Sequence, residues 1–312
     1  MPLPAPVLAV KGLGWAWGLW FVALGSQRAK RLQLDDVTAC SVGPSQLLLC
    51  YRLAMLAWGL FIGISQVLDK GSRVFAFYTV WNWWLLTAFF ALGSWASLRA
   101  RRHQQPGRRT KQQAGPAPEA GLLCRATSVT FCVVAPMSLA VDLLTWALLV
   151  PMLMSSDAHR DFWRHRMYCF ESYNQHGFNA VMALGDLLLN RIPVELYTSG
   201  WLALWSSLYG VWSAAFYVRT GRYLYPFLDA QEPYAWVAYV GLFAVHLAAY
   251  LTVMGLSRAK QRYLFGRKAV AIPGIAAGSP ALATRAQTRM RSELASSLPA
   301  TLDGGASHFK AQ

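Results

Sequence analysis

The sequence is short of charged residues, which make up only 14% of its 312 positions. A typical soluble domain carries about 25%, and it needs that charge to keep its surface in water. Hydrophobic residues make up 55% of the chain, which excludes disorder for most of its length. The composition therefore indicates a membrane protein whose few charges lie in loops.

Cysteine and asparagine are also scarce. The five cysteines include no C-x-x-C pair, so neither a disulfide framework nor a thiolate zinc site is expected. None of the four asparagines begins an N-x-S/T sequence, so no N-glycosylation is expected. His159 and His165, near Asp157 and Asp161, match no familiar ligand spacing. We predict no metal and no cofactor.

Six apolar segments are long enough to cross a bilayer, which takes about 20 residues. Their approximate bounds are 45–68, 74–98, 128–154, 173–189, 199–217 and 234–256. The apolar runs are continuous and too long for strands. The sequence therefore predicts an all-α membrane bundle of six transmembrane helices.

The segments outside this bundle (45–256) have their own signals. Within the N-terminal segment 1–44, residues 13–24 form a short Trp-rich apolar stretch. We expect an interfacial helix there, with a seventh span and a cleaved signal peptide as the alternatives. The basic loop 99–125 and the part of the tail 257–312 that follows its basic start, from about residue 272, lack the apolar content to pack, so we expect both to be disordered.

Lys and Arg residues are distributed unevenly between the loops. With six spans, most of the 29 Lys and Arg residues fall on the face that carries both chain termini. The positive-inside rule then places both termini in the cytoplasm, in an endomembrane or the plasma membrane. The same rule explains the net charge of +15 without a nucleic acid partner. The partner that we expect is the lipid bilayer.

Polar side chains within the spans are the best candidates for a functional site. A charge at the centre of a membrane helix costs about 2.5–3.5 kcal/mol on insertion scales, so such groups face the bundle interior and find partners. The polar residues inside the predicted spans are Arg52, Thr79, Asn82, Asp142, His176, Asn179, Asp186 and His246.

Thr79 and His176 are predicted to lie at one depth. Each comes a few residues into a span that descends from the non-cytoplasmic face. Asn82 and Asn179 follow them by three residues, so each asparagine shares a helix face with its partner. Two helices are thus expected to present Thr/Asn and His/Asn to one pocket.

Asp186 is expected to have a structural role. It lies about 15 Å beyond His176 along the helix, at about 1.5 Å per residue, so it cannot orient that imidazole. Arg52 lies in the same half of the membrane, and we predict an Arg52–Asp186 ion pair. Asp142 and His246 both lie near the midplane, where either they pair or one of them lies beneath the pocket.

A hydroxyl beside an imidazole is the minimum for nucleophilic acyl transfer. The imidazole takes the proton while the hydroxyl attacks an ester carbonyl. The competing interpretation is structural, because a Thr in a helix often bonds its own backbone and His and Thr hydrogen-bond between membrane helices.

Three strings resemble the rolling-stone and androgen-induced family of multipass membrane proteins, closest to its plant and algal branch. They are FYTVWN (77–82), HGFNAVMALGDLLLNRIP (176–193) and LYGVWSAAFYVRTGRYLYPFLD (208–229), and the resemblance covers about 50–268. Androgen-induced members are threonine hydrolases of fatty acid esters of hydroxy fatty acids. The resemblance implies that Thr79 is the nucleophile and His176 the base. At Gly177 and Asn82 the sequence instead resembles the rolling-stone branch, which is associated with cell fusion.

Three functions are therefore open. The first is an intramembrane hydrolase of long-chain acyl esters, with Asn82 and Asn179 donating to the oxyanion. The second is a non-enzymatic protein that binds lipid or organises the membrane. The third is a transporter or channel, which would need a continuous polar path.

Overall fold

The computed structural model describes residues 4–28, 32–103, 121–155 and 157–265. Over these ranges the protein is all-helical and has no strand, as predicted. The α-helices are α1 (Ala5–Arg28), α2 (Leu34–Thr38), α3 (Ser45–Lys70), α4 (Tyr78–His103), α5 (Leu122–Leu143), α6 (Val150–Met154), α7 (Arg160–Met167), α8 (Phe170–Tyr173), α9 (Asn179–Leu189), α10 (Ser199–Thr220) and α11 (Ala235–Phe265).

Two of the long helical runs contain a π-helical segment. Leu144–Leu149 joins α5 to α6, and Asn174–Phe178 joins α8 to α9. The second segment contains a kink at His176, whose backbone angles are not helical (φ −131°, ψ 29°). π-Helical segments are rare and occur frequently at functional sites. The third and fourth predicted spans are therefore interrupted helices rather than regular ones.

Four helical stretches in the described ranges have the length and hydropathy of membrane spans. They are Ala5–Ser26, Ser45–Lys70, Leu122–Met154 and Ala235–Leu264. These helices indicate a protein embedded in a membrane. The predicted count of six spans is not confirmed, because the predicted spans at α4, at α8–α9 and at α10 are not among these stretches.

The N-terminal helix differs from its predicted form. The sequence predicts a short helix over 13–24, whereas α1 runs for 24 residues. It packs closely along α10, where the backbones approach at two glycines. A Cβ added at Gly200 would lie only 2.7 Å from the main-chain oxygen of Gly18. The sequence does not reveal this helix length, because Lys11 interrupts the apolar run and because the packing against α10 is not visible in the sequence.

Helix α1 is antiparallel to α10 and shares the direction of α11. Near its start, Val7 packs with Ala230 and Ala235, which lie just before and at the beginning of α11. Near its end, Gly25 faces the side chain of Tyr197, just before α10. Its N-terminal end therefore lies at the end of the bundle where α11 begins.

The loop that was predicted to be disordered is helical at both of its ends, and the basic start of the tail, which was not predicted to be disordered, is helical as well. Helix α4 continues to His103 and α5 begins at Leu122, so both ends of the predicted loop 99–125 belong to helices. Helix α11 likewise continues to Phe265 within the predicted tail. Residues 104–120 and 266–312 lie outside the described ranges, and the prediction of disorder there stays a prediction.

Arg52 and Asp186 form the predicted ion pair in the core of the bundle. Arg52 Nε lies 2.7 Å from one Asp186 carboxylate oxygen and Nη2 lies 3.0 Å from the other, and both side chains are 0% exposed. Arg52 Nη1 also donates to the main-chain oxygen of Val37 at 2.8 Å. The pair thus joins α3 to α9 and to α2.

Asn190 and Lys260 extend this polar cluster to α11. Asn190 Nδ2 donates to Asp186 Oδ1 at 2.7 Å. Lys260 Nζ donates to the main-chain oxygens of Leu187 (2.5 Å) and Asn190 (2.7 Å), which are orphan carbonyls at the end of α9. Each buried charge therefore has hydrogen-bonding partners, as burial in an apolar interior requires.

We predict that Asp186→Asn destabilises the protein by about 3–5 kcal/mol, the usual cost of leaving one member of a buried pair uncompensated. Thermal unfolding of the purified protein in detergent measures the effect. The matched control is Glu171→Gln, which removes the carboxylate from the partly exposed Lys70–Glu171 pair at 3.7 Å. Its expected cost is below about 1 kcal/mol.

An Asp186→Asn variant that unfolds at the wild-type temperature would contradict this role. If the variant does not fold, the double variant Arg52→Met/Asp186→Leu supplies the measurement. Replacing both members of a buried pair by apolar groups is often tolerated, so the double variant should recover expression and stability.

Candidate functional site

A cavity of about 360 Å³ lies between α1, α10 and α11. Its wall is mainly apolar, with Trp17, Leu202, Phe243 and Leu247 among the lining residues. The start of α4, the end of α5 and its π-helical extension, and the segment before α11 complete the wall. The volume and the apolar lining are those of a small-molecule site.

A limited set of polar groups faces this cavity. The lining residues with hydroxyl, imidazole or ammonium groups are Lys11, Tyr78, Thr79, Thr145, Ser199, Ser206, Ser207, Tyr209, Tyr225, Tyr239, His246 and Tyr250. Lys11 is the one Lys, Arg, Asp or Glu among the described lining residues. A few polar groups in an apolar wall fix the orientation of a ligand.

The imidazole of His176 lies behind this wall and contacts Thr145. His176 Nδ1 is 3.1 Å from the Thr145 hydroxyl, and the two side chains are 7% and 3% exposed. Thr145 lines the cavity, whereas His176 is not among the lining residues. Because both lie in π-helical segments, two irregular turns meet here. The Trp146 indole holds them together by donating to the His176 main-chain oxygen.

Asp142 and Asn179 lie next to this pair. Asn179 follows His176 by three residues and its side chain faces the Asp142 carboxyl, which precedes Thr145 by three residues. Asp142 Oδ1 and Asn179 Oδ1 are buried, and neither has a hydrogen-bond partner among the described residues. These two oxygens place polar groups beside Thr145 and His176 that remain able to accept a hydrogen bond.

Thr79, in the first turn of α4, also lines the cavity, whereas His176, with which it was predicted to share a pocket, does not. The Thr79 side chain contacts the Tyr225 hydroxyl, which accepts a hydrogen bond from Tyr78 N at 3.1 Å. No hydrogen bond joins Thr79 to His176 in the described structure. The role of Thr79 as nucleophile stays a prediction, and the hydroxyl that contacts His176 is that of Thr145.

His246 and Asn82 have partners within the bundle. His246 Nδ1 lies 2.6 Å from the Leu242 main-chain oxygen on its own helix, and Nε2 lies 3.4 Å from the Tyr78 hydroxyl. His246 therefore lines the cavity instead of bonding Asp142. Asn82 donates to the Tyr78 main-chain oxygen and accepts from the Trp205 indole at 2.9 Å. Its amide thus joins α4 to α10.

Sequence reasoning missed two residues of this site. Thr145 stands in an apolar run, and its signal was the spacing of three residues after Asp142. Lys11 was counted as a flanking charge because the predicted apolar stretch begins after it. The helix that contains Lys11 turns this charge toward the cavity.

No protein family, curated protein or solved structure matches the chain. The resemblance to the rolling-stone and androgen-induced family therefore stays a prediction.

Proposed function

We propose that the protein is an integral membrane protein that binds a long-chain lipid in the cavity between α1, α10 and α11. The single observation that carries this proposal is the cavity itself. Packed protein interiors have few voids larger than a water molecule, whereas this void has about 360 Å³ and a mainly apolar wall. An apolar chain is the ligand that such a wall favours.

The shape of the cavity supports a chain-like ligand. Its lining residues on α11 extend from Tyr239 to Tyr250, a distance of about 16 Å along the helix at about 1.5 Å per residue. On α10 they extend from Ser199 to Ala214. The site thus follows the helix axes over half the thickness of a bilayer core, which is about 30 Å. A molecule already dissolved in the membrane needs no aqueous path to reach it.

We expect α1 to cross the membrane as a seventh span. Its 22-residue apolar stretch is long enough, and it lies antiparallel to α10 along the same depth. In this arrangement the basic residues of the loops remain on the sides of the membrane that were predicted for them. Lys11 now belongs to a span and no longer to the segment before the first span. The N-terminal end then faces the non-cytoplasmic side, opposite to the tail, instead of sharing the cytoplasm with it.

This topology predicts that an Asn-Gly-Thr acceptor added before Met1 is N-glycosylated in a eukaryotic membrane, whereas the same acceptor added after Gln312 is not. The natural chain has no acceptor sequence, so the background is clean. A glycosidase-sensitive shift on a gel measures the modification. An unmodified N-terminal acceptor that a protease reaches from the cytoplasmic side would contradict the seventh span.

Filling the cavity is expected to remove lipid binding. Ala203 lines the cavity on α10, so Ala203→Trp occupies the space that an acyl chain needs. We predict that binding of a radiolabelled long-chain lipid to the purified protein falls at least about tenfold, or about 1.4 kcal/mol.

The matched control is Ala215→Trp on the same helix. Ala215 is exposed and does not line the cavity, so the same side chain added there should leave binding unchanged. Equal binding by both variants would show that the lipid occupies another site.

Hydrolysis of a lipid ester is a second candidate function, favoured by the Thr145–His176 contact at 3.1 Å. In this mechanism His176 Nδ1 takes the Thr145 proton while Oγ1 attacks the ester carbonyl. A Thr–acyl bond forms, the ester C–O bond breaks, and the alcohol leaves with the proton from His176. Water then hydrolyses the acyl-enzyme and restores both groups. A long-chain acyl ester in the cavity is the substrate that this site could hold.

The contact between Thr145 and His176 supports Thr145 rather than Thr79 as the nucleophile of this mechanism, and labelling by a fluorophosphonate probe tests the choice. We expect labelling of wild-type membranes and of Thr79→Ala, and none of Thr145→Ala. His176→Gln should label more slowly by a factor of about 10²–10⁴, the usual contribution of a general base. Labelling lost in Thr79→Ala but kept in Thr145→Ala would restore the sequence-based assignment, and labelling kept in both would exclude both hydroxyls.

A further inference from the structure

Lys11 places a positive charge in the wall of an otherwise uncharged cavity. It lies in the second turn of α1, outside the part of the chain that carries the family resemblance, and its side chain is half-buried. Its ammonium group lies 5.1 Å from the centre of the Tyr239 ring. The charge is therefore anchored at the end of the cavity where α11 begins.

No carboxylate within the described ranges pairs with Lys11. This distinguishes it from Arg52 and Lys260, which are surrounded by hydrogen-bond acceptors. The Tyr239 ring attracts a cation through its electron-rich face, but it does not neutralise the charge. An ammonium group in an apolar setting is costly unless it is paired, so this position favours a ligand that carries a negative charge.

The apolar part of the cavity extends away from Lys11. Along α11 the lining passes from Tyr239 through Leu242 and Leu247 to Tyr250. A ligand whose negative head group lies at Lys11 would thus bury its chain along the helices. Tyr239 keeps its ring in place by donating its hydroxyl proton to the Leu228 main-chain oxygen at 3.0 Å.

We propose that Lys11 binds the anionic head group, a carboxylate or a phosphate, of a single-chain amphiphile whose chain occupies the cavity. This inference rests on the proposed lipid-binding function and names the class of lipid that the site selects. Lys11 is then the residue that sets head-group specificity. An ion pair is stronger in a site of low polarity than in water. This difference determines how strongly the site prefers an anionic head group to a neutral one.

The test compares palmitate, hexadecyl phosphate and hexadecanol, which have the same chain length and different head groups. Each radiolabelled ligand is bound to the full-length protein in phosphatidylcholine nanodiscs, and binding to empty nanodiscs is subtracted. We expect both anionic ligands, or one of them, to bind at least about tenfold tighter than hexadecanol. A preference for palmitate alone identifies a carboxylate site, and a preference for hexadecyl phosphate alone identifies a phosphate site.

Lys11→Met should remove the preference for anionic ligands, because the methionine side chain is similar in length to that of lysine and carries no charge. The affinity of this variant for hexadecanol should fall far less than its affinity for the anionic ligands, which separates the loss of the charge from a loss of the fold. Lys11→Arg should keep the preference. Lys70→Met, which changes a lysine outside the cavity, should behave as wild type.

Two results would overturn the inference in different ways. If wild type binds all three ligands equally, or if Lys11→Met keeps the preference for an anion, Lys11 only extends toward the membrane surface and the lipid-binding function stands. If none of the three ligands binds more to the protein than to empty nanodiscs, or if Ala203→Trp leaves hexadecanol binding unchanged, the cavity is not the site and the proposed function fails as well.

Discussion

The buried ion pair of Arg52 and Asp186 is the interaction on which the helix arrangement depends. Two fully buried charges in such a bundle must pair with each other. The free-energy cost of burying either charge alone would exceed the stabilisation that packing provides. Arg52 also bonds Val37, and Asp186 also bonds Asn190. The pair therefore fixes α2, α3 and α9 relative to one another. Lys260 adds α11 by bonding the end of α9.

The cavity is built from a different set of residues. None of Arg52, Asp186, Asn190 and Lys260 lines it. Its wall is instead closed by α1, which lies along α10, and Trp17 of α1 donates to the Ser199 hydroxyl at 3.1 Å. The bundle thus has two distinct regions. Hydrogen-bonded polar groups stabilise the first, and the second contains the cavity, which can bind an apolar ligand. Lys11, Thr145 and the groups around His176 give the open region its chemistry.

The sequence predicted those features that follow from composition and axial depth. Long apolar runs located the six predicted helical segments, although α11 ends nine residues beyond its predicted end and α5 begins six residues before its predicted start, and depth alone paired Arg52 with Asp186. The Thr79–His176 hypothesis used the same depth argument but had no information on the direction in which each side chain points. The π-helical turns at Thr145 and His176 rotate the following residues about the helix axis, and no periodicity in the sequence reveals such a turn. The contact between these two residues could therefore be found only in three dimensions.

The length of α1 was missed for a related reason. Lys11 interrupts the apolar run, and an interrupted run suggests a helix that lies at the membrane surface. In the folded protein that lysine contacts the Tyr239 ring and faces the cavity, so the charge no longer marks a helix end. A charge inside a membrane helix indicates a functional position by default. The position that limited the prediction is thus the one that we assign to ligand recognition.

The most direct test of the account is photo-crosslinking with a diazirine analogue of palmitate, followed by mapping of the modified residues by mass spectrometry. If the cavity holds the acyl chain, adducts form on lining residues such as Leu202, Leu242 and Leu247, and excess unlabelled palmitate removes them. Adducts confined to outward-facing residues such as Val218 and Leu251 would show that the lipid only surrounds the protein, which contradicts the account.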